Sequence, residues 1–243
     1  VNARAVVNLQ HFGGFIVFVL FTLWMARAHL YQVWQKFLGN APELDDSREF
    51  FSYRKAVFAL LFGLFYMMAW LYASGMSLPV VVLFLGLLVL VYLGVTRVVA
   101  ETGLVSLHLP HNDVNTVTLR LVGTDNLSTQ NLTSLTLANA FGRNWRTLGM
   151  CSMAHTAKVG DDMGGVGRGV FVTIALTLTL TFLTAVSYTL YLGYSGGAFE
   201  FTEPAFVAGA RGVWSGLISS IRNVKILTGL ERMSFGVGAL VSF

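Results

Sequence analysis

The residues best equipped for chemistry cluster in "RVVAETGLVSLHLPHND", which runs from Arg97 to Asp113. Arg97 and Glu101 stand four apart, so a helix would carry them on one face, where they can pair. Within a membrane such a pair either anchors the helix at the headgroup level or faces a polar cavity and binds a solute or a coupling ion. We expect the pair to face the bundle interior. His108, His111 and Asp113 follow within six residues. Imidazole and carboxylate are ligand types for zinc, nickel or copper, and imidazole also titrates near neutral pH. Pro110 breaks any helical face the two histidines would share. A polar loop is therefore expected here, with no metal bound.

A second group lies in "MAHTAKVGDDMGGVGRG", with His155, Lys158, Asp161 and Asp162 among glycines. The order GxxxxGK[ST] is absent, so this is no phosphate loop. It reads as a connector, or alternatively as a loop facing a solute. Arg120 and Asp125 in the same polar stretch favour a lining. Glu200 and Glu203 could do acid–base work, but nothing in the sequence fixes their separation in space. Asn126 and Asn131 match the glycosylation pattern, and we read both matches as incidental. No GxSxG, HExxH or dinucleotide-binding glycine pattern occurs. No catalytic residue and no cofactor are expected.

The elements that must hold these groups are membrane helices. The chain of 243 residues is 55% hydrophobic and 12% charged, against roughly 25% charged in soluble domains, and its mean hydropathy is +0.66. The net charge of +4 comes without a basic run of five or six residues. That speaks for loops beside a bilayer and against nucleic acid as a partner. The single cysteine, Cys151, excludes an internal disulfide and a thiolate-rich metal site.

A crossing helix needs about 20 mostly apolar residues. Nothing between Lys55 and Arg97 is charged, which suits two spans joined at "SGMSLP". The expected architecture is all-α, a polytopic transmembrane helical bundle with spans at about 5–26, 56–73, 79–100 and 170–194 and a partial span at 233–243. The threonines of the 170–194 span can bond to their own helix carbonyls and need no partner. The polar segments 101–168 and 195–226 either lie outside the membrane or re-enter it. Lys and Arg counts put the 27–55 and 101–168 segments together on the cytoplasmic side. The chain reads as one integral membrane domain truncated at both ends, completed by the remainder of its own full-length chain.

The segments "DDSREFFSYRKAVFALLFGLFYMMAWLYASGM" and "TRVVAETGL" resemble an uncharacterised bacterial family of multi-span membrane proteins described as oligopeptide-transporter-like. The likeness covers residues 10 to 165 or so. It implies a many-span helical bundle in the bacterial inner membrane, transport of peptides or metal chelates, and Arg97, Glu101 and Gly103 as signature residues. Three functions stay open: a secondary transporter for a small solute or peptide, a non-transporting scaffold or complex subunit, and a membrane-embedded enzyme. The transporter reading leads, because strongly apolar spans flank a long polar, glycine-containing segment.

Overall fold

The computed structural model describes residues 3–40, 51–104, 114–138, 150–162, 168–197 and 204–242. Among these there are ten α-helices and no strand. They are α1 (Ala3–Met25), α2 (Arg27–Leu38), α3 (Tyr53–Ala73), α4 (Leu78–Thr102), α5 (Val114–Val122), α6 (Thr129–Leu137), α7 (Met150–Asp162), α8 (Arg168–Leu192), α9 (Pro204–Arg222) and α10 (Gly229–Val241). A π turn, Gly193–Gly197, continues α8. Four helical stretches are long and apolar enough to cross a membrane: Val6–Met25, Tyr53–Ala73, Leu78–Thr102 and Val172–Gly197.

α4 is the centre of the packing. Val81, Phe84, Leu88, Val91, Val95 and Val99 form a buried stripe at the three- and four-residue spacing of one helix face. Helices α1, α3, α5 and α7 pack against it. Pro79 lies in the first turn of α4, where a missing N–H costs no helical bond. The turn from α3 closes with the Ser74 hydroxyl on the Leu71 carbonyl at 2.7 Å and with Gly75 at φ +94°, a conformation that favours glycine.

The closest helix pair is α1 with α10. A Cβ added at Gly13 would strike the Phe235 carbonyl, and one added at Gly238 the Gln10 carbonyl. Small residues let the two backbones approach, as at helix crossings in membranes. Phe12 and Phe235 pack beside the contact with ring centroids 6.4 Å apart. α2 continues from α1 past Ala26 and buries none of its residues. The Arg27 guanidinium sits over Trp24 at 4.7 Å, and the Lys36 ammonium lies 5.8 Å from the Tyr53 ring at the start of α3. Aromatic rings carrying cations suit the membrane–water interface.

The described parts of 101–168 reach both ends of α4. The α6 side chain of Asn131 accepts from the Ser77 N–H at 2.7 Å, and the Ser134 hydroxyl donates to the Ser74 carbonyl at 2.9 Å. Both bonds fix α6 at the amino end of α4. In α7, His155 Nε2 donates to the Leu104 carbonyl at 2.8 Å, just past the carboxyl end of α4. A 25-residue helix is about 37 Å long, so the chain visits both ends. Counting Lys and Arg assigns a whole stretch to one side and is blind to side-chain bonds that carry it back. The glycine-rich connector is also shorter than expected, because α7 stays helical through Asp162.

Candidate functional site

Among the described residues, most of the buried polar side chains belong to one hairpin. Asn115, Thr118, Thr124, Asn131 and Ser134 are all at most 9% exposed, and all belong to the hairpin of α5, its turn and α6. α5 carries Val114, Val117 and Thr118 on one buried face. It ends at Gly123, whose φ is +87° and where a Cβ would press on the Asp125 carboxylate and on Ile226. α6 begins with Ser128, whose Oγ accepts from the Asn131 N–H at 3.2 Å, the usual satisfaction of a free helix-start donor.

The hairpin is tied to itself and to two neighbouring segments. α6 holds the α3–α4 turn through Asn131 and Ser134, as above. Across the hairpin, Asn115 Nδ2 donates to the Leu135 carbonyl near the end of α6. At the hairpin turn the chain pairs with the segment joining α9 and α10. The Thr124 N–H donates to the Lys225 carbonyl at 3.2 Å and the Leu227 N–H to the Arg120 carbonyl at 3.3 Å. The Lys225 N–H returns to Thr124 Oγ1 at 2.8 Å.

Charges close the same seam. Arg120 pairs with Glu231 at 3.1 Å, with side chains 33% and 13% exposed. Glu231 also accepts from the Thr228 N–H at 2.9 Å, while Thr228 Oγ1 accepts from the Glu231 N–H at 3.4 Å. This reciprocal capping box starts α10, and the carboxylate sits where the helix dipole favours it. Lys225 Nζ donates to Ser220 Oγ at 2.9 Å.

The residues put forward from the sequence are arranged otherwise. Arg97 and Glu101 do pair, at 2.9 Å, but their side chains are 39% and 59% exposed. The pair does not face the described bundle. The geometry explains it: Arg97 and Glu101 each lie two residues beyond a member of the buried stripe, Val95 and Val99, which is about 200° around the helix. An exposed pair contributes roughly 0–1 kcal/mol. Lys158 and Asp162 lie 3.7 Å apart on α7 and are also exposed. Asp161 belongs to the same helix. His155 is bound to Leu104. His108, His111, Asp113, Glu200 and Glu203 lie outside the described residues. Among the described residues no three His, Cys, Asp or Glu side chains come together as a metal-binding group.

Sequence reading missed Asn115, Ser134, Lys225 and Glu231. One of these had a signal: Thr228 and Glu231 form the T-x-x-E pattern ahead of an apolar run. In the sequence Asn131 stands out only as part of a glycosylation pattern. Its burial at 7% exposure and its bond to Ser77 give it a structural role.

A family model described as "Family of unknown function (DUF6785)" matches residues 1–243. No curated protein matches the chain, and no solved structure does.

Proposed function

The chain belongs to this family of unknown function, and we propose from its own geometry that it is part of a secondary membrane transporter for a small polar solute. The observation that carries the reading is the buried polar hairpin set against α4, a helix with no charge in its first 19 residues. Buried polar side chains among membrane spans line solute and ion paths as well as bonding helices to one another. Chain that passes between the two ends of a span without being one continuous helix is tolerated only where protein or water shields it from lipid. Transporters build their sites from such interrupted elements. The return of the chain to both ends of α4 supports this arrangement.

A peptide or a metal chelate is the solute class we propose, and the bacterial inner membrane the location, both following the resemblance read from "TRVVAETGL". Of the candidate residues, His155 is retained as a path residue because it closes the end of α4 where the polar excursion begins. Arg97 and Glu101 become an interfacial anchor. The test is uptake by proteoliposomes holding the full-length protein. They are offered di- and tripeptides and chelated iron under an imposed proton or sodium gradient, and lumenal contents are read by mass spectrometry. Saturable accumulation of one class is expected. If no class accumulates above empty liposomes in any gradient, the transport reading fails and the scaffold reading replaces it.

A further inference from the structure

We propose that α9 lies flat in the headgroup layer of the membrane and binds anionic phospholipid, with Arg211 and Arg222 on the phosphates. The helix has a held face and an open one. Leu217 and Ser220 are buried, and α9 packs on α6. Beside that face Trp214, Ile218 and Ile221 form an apolar stripe at the spacing of one helix side, yet they are 47%, 50% and 48% exposed. Arg211 and Arg222 are exposed too. They stand eleven residues apart, which is three turns, so both border the stripe on the same side, about 16 Å from one another.

The neighbours of α9 place it at the edge of a bilayer. α6 is bonded through Asn131 and Ser134 to the turn between α3 and α4. Both of those helices are long and apolar enough to cross a membrane, so their turn lies at a membrane surface, and α9 packs at that level. α9 is not among the stretches apolar enough to cross. A crossing would carry Arg211 near the middle of this 19-residue helix, where a charge in hydrocarbon is costly. Lying flat, the stripe enters the acyl boundary and both guanidinium groups reach headgroups. Charge selects the lipid class. From Pro204 to Phe243 the chain carries Arg211, Arg222, Lys225 and Arg232 against Glu231 alone, and Glu231 is held by Arg120. Among the described residues neither Arg211 nor Arg222 makes an ion pair. A guanidinium matches a phosphate, and basic side chains beside an apolar stripe favour anionic over neutral lipid.

The proposal needs only the membrane-crossing helices and is independent of transport, so the experiment reads position and lipid dependence without flux. A nitroxide is attached at Ile218→Cys, in full-length protein with Cys151→Ser, in nanodiscs of phosphatidylcholine with phosphatidylglycerol. Collisions with oxygen, which enters the acyl region, are compared with those of a polar nickel chelate. Gly212→Cys is the water-side reference. It lies six residues back, about 120° around the helix, and its Cβ meets open space. The oxygen-to-nickel ratio should be at least threefold higher at position 218 than at 212. In phosphatidylcholine alone, or in high salt, the ratio at 218 should fall at least twofold. Arg211→Gln with Arg222→Gln should abolish that response, and a label at Leu180→Cys on α8 should show none. Equal ratios at 218 and 212 would put the stripe in water, and few collisions with either reagent at 218 would put a protein segment over it; each overturns the proposal. So does a ratio at 218 that ignores the lipid headgroup, or one that still follows it in the double arginine variant. If Ile218→Cys does not fold, Ile221→Cys on the same stripe takes its place under the same criteria.

Discussion

The α5–α6 hairpin and α8 are both rich in threonine, but only the hairpin also sends polar side chains to distant elements among the described residues. α8 carries threonines at 173, 177, 179, 181 and 184, and no residue of its most apolar stretch is buried. Thr173 returns its hydroxyl to the Gly169 carbonyl at 2.9 Å, and Thr179 to that of Ala175 at 2.8 Å. Both of these hydroxyls are satisfied within their own helix and need no protein neighbour, so this surface can meet lipid. In the hairpin, Thr118, Thr133 and Thr136 bond back in the same way, but Thr124, Asn131 and Ser134 bond to backbone distant in sequence. Threonine content alone says nothing about which role applies. What separates the two regions is the company: Asn, Ser and a positive-φ glycine break the helix and turn side chains outward to other elements.

If that contrast is right, the largest effect should come from the charge that ties the hairpin to α10. Arg120→Met strands the Glu231 carboxylate, which is 13% exposed. Breaking a fully buried pair costs about 3–5 kcal/mol. The Thr228 N–H still serves this carboxylate and the arginine is partly solvated, so about 2 kcal/mol is expected, the middle of the unsatisfied-group range. Thermal melting in detergent should fall clearly, and the double change Arg120→Met with Glu231→Leu should recover more than half of the loss. A single variant as stable as the wild type would mean that the seam is ornamental, and the hairpin would then resemble α8 after all.

A smaller loss is expected from Thr124→Val. The change keeps the shape and the β-branch but removes the oxygen that accepts from the Lys225 N–H at 2.8 Å. That N–H is left in a pocket where Thr124 itself is 7% exposed. A stranded buried donor costs about 1–3 kcal/mol, and the lower half of that range applies because the Thr124 N–H still holds the Lys225 carbonyl. Amide hydrogen exchange at Lys225 is the sharper readout and should speed up by at least tenfold.

The apolar helices were legible because their physics is local. Uncharged runs of sufficient length identify α3 and α4, and "SGMSLP" marks the turn between them. Spacing also identified the Arg97–Glu101 pair, since four residues along a helix suffice. The direction of the pair was not legible, because it depends on which face of α4 meets α1 and α5. The hairpin was hidden for a related reason. Asn115, Asn131 and Ser134 look like ordinary loop residues until their partners are known, and Ser77, Ser74 and Leu135 cannot be matched to them by spacing. Arg120 and Glu231 are 111 residues apart, and no periodicity reaches that far.

The smallest effect should come from the same chemical change made in the other region. Thr179→Val in α8 removes a hydroxyl that donates to the Ala175 carbonyl. That carbonyl keeps its ordinary helical partner, the N–H four residues on, so nothing is left unsatisfied. Both residues are β-branched, so their side-chain entropies in the helix differ little. The side chain is exposed, so no cavity forms and no neighbour must move. If lipid is what it meets, valine is the better-solvated residue. Stability should therefore change by no more than about 0.5 kcal/mol, the range of surface substitutions, and any change should favour the variant. Parallel melts of Thr124→Val and Thr179→Val in nanodiscs make the comparison with backbone shape and residue type held fixed. A loss in Thr179→Val equal to that in Thr124→Val would show that α8 has a polar partner. The division between a hairpin bonded outward and a helix bonded to itself would then be wrong.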